Sequence, residues 1–258
     1  SKKKNVERKA KEEYNNGNIA CLLLEIGWID PNHEVKEGNN TSIPILCMAS
    51  GSGRIDIVTT LLDRGADINQ AMNDGGTPLF AASQEGHVEV VRVLLDRGAD
   101  INQAMNDGAT PLYAASGNGH VEMVRALLDG GADINQAMND GATPLFVASQ
   151  KGHVQVVRAL LDRGADINQA MNDGRAPLSA ASQKGHVEVV RALLARGADI
   201  NQAANDGGTP LITASLNDHV EVVRVLLDRG ADINQADNDG YTPLFVASQN
   251  GHMDVVRA

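Results

Sequence analysis

Six histidines recur at His87, His120, His153, His186, His219 and His252, and a recurring imidazole first raises metal chemistry. A zinc site needs nitrogen ligands converging within about 2.0–2.1 Å of one ion. Equivalent residues of a repeat are displaced by a whole unit, so these rings do not converge. Each is expected to serve its own copy as a structural residue at a helix start. The loop from Asp100 to Gly108, DINQAMNDG, carries the acids and amides of a calcium loop. An EF-hand loop wants an oxygen ligand at its fifth position, glycine at its sixth and glutamate at its twelfth. Ala104, Met105 and Pro111 stand there instead. Gly51-Ser52-Gly53 lacks the Gly-Lys-Ser/Thr that completes a phosphate loop, and it aligns with the turn Gln84-Glu85-Gly86. Asn39 and Asn40 head two glycosylation sequons that go unused without a secretory signal. No nucleophile, base and orienting group form a constellation. The chain is therefore read as non-catalytic, with no cofactor and no metal.

The elements that carry these residues repeat. The stretch DGGTPLFAASQEGHVEVVRVLLDRGADINQAMN, from Asp74 to Asn106, is restated from Asp107, Asp140, Asp173 and Asp206 at 33-residue steps. A last copy opens at Asp239, and an eroded one runs from Thr41 to Asn73. Such a period means a stack of supersecondary units. Within a copy, Thr77-Pro78 starts a helix, because threonine caps well and proline suits the first helical position. Leu79, Ala82 and Ser83 share one face, and Gly86 ends the helix. Val88, Val91, Leu94 and Leu95 mark a second helix that stops at Gly98. The remainder reads as a loop with a tight turn at Asn106-Asp107-Gly108. Isolated helices below roughly 12–15 residues are marginal in water, so cohesion must come from copy-to-copy burial.

T-P-L at 77–79, 110–112, 143–145, 209–211 and 242–244, G-H at 86–87, V-V-R-x-L-L at 90–95 and G-A-D-I-N at 98–102 together resemble the ankyrin repeat. The resemblance covers Thr41 to Ala258. It implies an all-α repeat solenoid of helix-turn-helix units with β-hairpin loops, whose groove of hairpin tips and first helices binds proteins. It further implies asparaginyl hydroxylation at Asn69, Asn102, Asn135, Asn168, Asn201 and Asn234. Several positions depart from the family pattern. The histidine of T-P-L-H is replaced by Phe80, Tyr113, Phe146, Ser179, Ile212 and Phe245. The aspartate at the hairpin base is Met72, Met105, Met138, Met171 and Ala204, and returns only at Asp237. These losses call the family's hairpin hydrogen bonds into question. Asp218 replaces the glycine between helices, and Ala176 replaces one capping threonine.

The domain reading follows. Residues 1–13 form a charged tail, and 14–40 a diverged capping repeat with a polar insertion at 33–40. Residues 41–73 form a diverged repeat; 74–106, 107–139, 140–172, 173–205 and 206–238 are full repeats, and 239–258 is a partial one. Gly17-Asn18-Ile19 and the stretch from Gly27 to Asn32 echo G-H-V and G-A-D-I-N in the first of these. The stop inside V-V-R is read as a fragment of a longer protein, whose open face could promote end-to-end association.

The net charge of −11 is uneven. Residues 1–13 hold six basic against three acidic side chains, which leaves −14 for the remainder. An acidic array repels phosphate backbones, so nucleic acid is not an expected partner. No apolar run of about 20 residues exists to cross a membrane. Cys21 and Cys47 fit buried thiols of an intracellular, cytoplasmic monomer, with the nucleus also open.

What remains is surface. Asn-Asp pairs recur at the hairpin tips from Asn73-Asp74 to Asn238-Asp239, a stripe of negative potential. Asn106, Asp107, Tyr113, Asn139, Asp140, Phe146, Lys151, Asp173, Arg175, Lys184, Asp206 and Tyr241 are the candidate partner-binding residues, for a protein or peptide, basic or amphipathic. Aromatic anchors near arginine are common hot spots, but a regular aromatic row is what packing between copies produces, and packing is the favoured reading of the row. The alternatives are a structural spacer array, or the recruiting region of a larger enzyme.

Overall fold

The computed structural model describes residues 30–37 and 41–258. The charged tail, Cys21, the Gly17-Asn18-Ile19 echo and both sequon asparagines lie outside the described residues. Contacts divide the chain into two compact units, residues 1–115 with 129–132, and residues 116–128 with 133–258. Helices Pro111–Gly117 (α5) and Val121–Asp129 (α6) each carry residues of both.

In the first unit the polar insertion is more ordered than its composition implies. Glu34–Glu37 (β1) pairs antiparallel with Thr41–Pro44 (β2), with Val35 opposite Ile43. Two β-branched apolar residues face each other across the pair, the favourable cross-strand arrangement. Ser42 Oγ donates to the Glu34 carboxylate, and Gln70 Nε2 donates to Glu34 Oε1 at 3.1 Å. The all-α reading thus gains one two-stranded sheet. Asn32 Oδ1 accepts from Asp67 N at 2.7 Å, as Asn69 Oδ1 accepts from Asp100 N at 3.0 Å. At its described end, the diverged first unit therefore makes the bond that the clean copies make.

The helices of this unit are Ile45–Gly51 (α1), Ile55–Asp63 (α2), Pro78–Glu85 (α3) and Val88–Asp96 (α4). α3 starts where Thr77 Oγ1 accepts from Phe80 N at 3.1 Å. α1 starts at Pro44, which offers no such cap. α4 ends in a Schellman turn: Gly98, at φ 91°, donates to Leu95 O, and Ala99 donates to Leu94 O. Leu46, Ile57, Leu61, Leu79 and Leu94 are fully buried between helices.

The second unit repeats the plan with Pro144–Lys151 (α7), Val154–Asp162 (α8), Pro177–Gln183 (α9), Val187–Ala195 (α10), Pro210–Leu216 (α11), Val220–Asp228 (α12), Pro243–Gln249 (α13) and Met253–Arg257 (α14). Leu145, Leu160, Leu178, Leu193, Leu211 and Leu226 form its core at 0–1% exposure. The missing cap at Ala176 changes nothing in the backbone, which sits at φ −93°, ψ 166°, against −91°, 165° at Thr143. On α11, Leu211 and Ile212 are buried; their counterparts on α13, Leu244 and Phe245, are 53% and 46% exposed.

Candidate functional site

The hairpin loops hold the candidate residues. Each is a type I turn closed by a left-handed glycine. In the first unit Met105 N donates to Ala109 O, and Gly108, at φ 90°, donates to Met105 O. The base position needs only its backbone for these bonds, so methionine suffices and the hairpin survives the loss of aspartate. The side-chain acceptor has moved to the tip. Asp107 Oδ1 accepts from Ala109 N at 3.0 Å, and Asp140 and Asp206 accept from Ala142 N and Gly208 N at 2.9 and 2.8 Å. Where the base aspartate returns, it takes over, since Asp237 Oδ1 accepts from both Asp239 N and Tyr241 N.

The tip asparagines are committed to neighbouring hairpins. In the first unit Asn106 Nδ2 donates to Asn73 O at 3.0 Å, and its backbone N–H donates to Asp74 O. In the second unit Asn172, Asn205 and Asn238 donate to the carbonyls of Asn139, Asn172 and Asn205 at 2.8–2.9 Å. Half of the expected Asn-Asp stripe is thus hairpin mortar. The aspartates are exposed and keep one carboxylate oxygen beyond the one that closes the turn.

The aromatic row divides by burial. Phe146 is 2% exposed and sits in the core, so it offers no surface to a partner. Phe80 and Ile212 are likewise buried, and Tyr113 is half-buried. Tyr241, at 40% exposure, stacks on Phe245 with ring centroids 4.7 Å apart. The row packs between copies wherever a following copy covers it. Arg175 lies over the Phe146 ring at 6.0 Å and grips Asp173 Oδ2 at 2.7 Å through Nε. Burial pushes the Asp173 carboxyl up, but the Arg175 N–H and guanidinium outweigh it and hold the group below its usual value. Lys151 and Lys184 stand exposed at the ends of α7 and α9.

The histidines staple copies together. His87 Nε2 bonds Gly51 O at 3.1 Å in the first unit. In the second, His153, His186, His219 and His252 bond Gly117, Gln150, Gln183 and Leu216 carbonyls at 2.9–3.1 Å, each 36 residues back. Each ring lies against the preceding inter-helix glycine: a Cβ on Gly152 would meet the His186 ring at 2.7 Å. Asp218, at φ 58°, is the exception, and its carboxylate stands 3.8 Å from His252 Nδ1. The asparagines of G-A-D-I-N are staples too. Asn135, Asn168 and Asn201 accept from the backbone of Asp166, Asp199 and Asp232 at 2.9 Å. Their fixed recurrence beside aspartate was the available signal for that role. Cys47 is a buried free thiol whose Sγ lies 3.4 Å from Gln70 O. Burial, reinforced by Asp74, pushes it up to about 12, so it carries no thiolate chemistry at neutral pH. Among the described residues no helix is long and apolar enough to cross a membrane.

A search of curated proteins returned no match. Among solved structures, the crystal structure of the human ASB11 ankyrin repeat domain is similar, with a TM-score of 0.75 and 28% identity. The match covers 82% of this chain and 96% of that one. A family profile described as ankyrin repeats (3 copies) matches residues 9–105, 46–138, 102–171, 137–204 and 178–258. With the hairpins, helix pairs and staples that recur copy after copy, these matches place the chain in the ankyrin repeat family.

Proposed function

We propose that this chain, as ankyrin repeats do in general, serves as a protein-interaction module, that it is non-catalytic, and that in its second unit a partner protein or peptide carrying basic groups docks along the hairpin tips. The observation that carries this reading is the row Asp140, Asp173 and Asp206. Each is exposed and spends one oxygen on its own turn, which fixes the carboxylate; the second oxygen of Asp140 and Asp206 lies outside the turn, while that of Asp173 holds Arg175 Nε. A preformed row of fixed acceptors loses little side-chain entropy on binding. Arg175, Lys151 and Lys184 stud the same copies with positive charge and give register. Tyr241 is an exposed aromatic that can anchor.

The test replaces Asp140, Asp173 and Asp206 with asparagine, which keeps the turn acceptor and removes the charge. The chain and the triple variant are used as bait in source lysate at two ionic strengths. Partners retained by the parent, weakened by salt and lost from the variant support the reading. Identical retention on both baits sinks it and favours the spacer alternative.

A further inference from the structure

A cleft of about 310 Å³ opens among the second helices of the second unit, lined by Arg158 and Leu161 of α8, Arg191 and Ala195 of α10, and Arg196 and Arg229 at the ends of α10 and α12. No acidic residue lines it. Arginines recur at these positions in most copies, with Thr59 and Gly130 as the departures, and acids pair several of them, Arg191 and Arg196 of the cleft included. One acid stands three residues earlier on the same helix: Glu89 with Arg92 at 3.2 Å, Glu188 with Arg191 at 3.6 Å, Glu221 with Arg224 at 2.8 Å. Before Arg158 that position is Gln155. The other acid closes the second helix of the preceding copy: Asp63 holds Arg97 at 2.8 Å, and Asp162 holds Arg196. For Arg229 that position is Ala195, which itself lines the cleft. Two separate losses of an acid thus border one cavity. Arg158 and Arg229 form no ion pair among the described residues.

We propose that this cleft is an anion site that receives a phosphate monoester. Guanidinium forks match phosphate oxygens in pairs and bind them through charge-assisted hydrogen bonds. Leu161 and Ala195 supply an apolar wall for the carbon side of the ester. The volume falls at the lower end of the roughly 300–1,000 Å³ of small-ligand sites. The surrounding charge of −11 selects further, because an extended polyanion meets repulsion beyond the cleft whereas a compact dianion does not. Two sources share this chemistry: a phosphorylated side chain of a protein, and a free organic phosphate. The proposal rests on the second helices and stands independently of the hairpin reading.

Isothermal titration of the full chain with inorganic phosphate, phenyl phosphate, and a phosphoserine peptide beside its unphosphorylated twin tests it. Arginine Nε–H resonances followed by NMR locate the binding. Saturable binding is expected, with shifts at Arg158, Arg191, Arg196 and Arg229. The double variant Gln155→Glu/Ala195→Asp restores residues that other copies carry, so it should keep its circular dichroism while losing at least about tenfold in affinity. Arg229→Ala should lose a similar factor. A phosphopeptide that binds at least about tenfold more tightly than phenyl phosphate assigns the site to protein-borne phosphate, and the reverse order assigns it to a free ester. The proposal is overturned by equal binding of the unphosphorylated peptide, by no saturation with any phosphate up to about 10 mM, or by unchanged affinity in both variants.

Discussion

Stretches 140–172 and 173–205 of the second unit have the same backbone and different side chains. The first has Thr143 as cap and Phe146 in its core; the second has Ala176 and Ser179 at the matching places. The first helix of each starts at the same dihedrals within two degrees. Hairpins close alike, through Met138 with Ala142 and Met171 with Arg175. Glycines and copy-to-copy staples therefore set the chain path, while individual side chains add stability and surface chemistry. Each copy serves as a control for the next, which is how the loss of an acid at Gln155 or Ala195 becomes readable.

Three pairs of substitutions and one single change would break or sharpen this comparison. The largest contrast is in the core. Phe146→Ala should destabilise by roughly 3–5 kcal/mol in urea unfolding, as the loss of a buried aromatic does. Ser179→Ala should be neutral or stabilising, since that hydroxyl is buried without a partner. Next come the inter-helix turns. Gly152→Ala and Gly185→Ala should each cost about 2 kcal/mol or more, because each combines a left-handed φ with a clash against the next histidine. Unequal costs would show that the two copies do not share one staple. The caps follow, with Thr143→Ala losing, and Ala176→Thr gaining, about 1 kcal/mol in the same assay.

The smallest effect is electrostatic. Because the folded Asp173 carboxyl is held below its unfolded value, the stability it adds is present above about pH 4 and is lost as pH falls through the folded value. Arg175→Ala should move that titration upward, as read from side-chain carboxyl shifts in NMR. An unmoved titration would mean that Arg175 does not hold the carboxylate.

The sequence made the helix pairs legible, since Thr-Pro and Gly bracket each first helix and valine-leucine spacing marks each second one. It left the strand pair hidden, because Val35 and Ile43 sit in polar company and only their register across the hairpin makes them a pair. Phe146 illustrates a deeper ambiguity. In a stacked repeat one position can face a groove or the next copy, and periodicity is identical for both. The tip asparagines were ambiguous for a similar reason, because an amide that zips hairpins and one that greets a partner have the same spacing. The arginine cleft, by contrast, was written in two single-letter departures, Gln155 and Ala195. It became visible only when the pairing partners 3 and 34 residues away were known.

Asp218 marks a weak seam in the sequence of staples. Elsewhere in the second unit an imidazole lies flush on glycine backbone; here it must share its place with a carboxylate. Local opening starts where contacts are fewest. Amide hydrogens of α13 should therefore exchange with solvent more slowly once Asp218→Gly restores the glycine, and unchanged exchange would mean that the seam is no weaker than its neighbours.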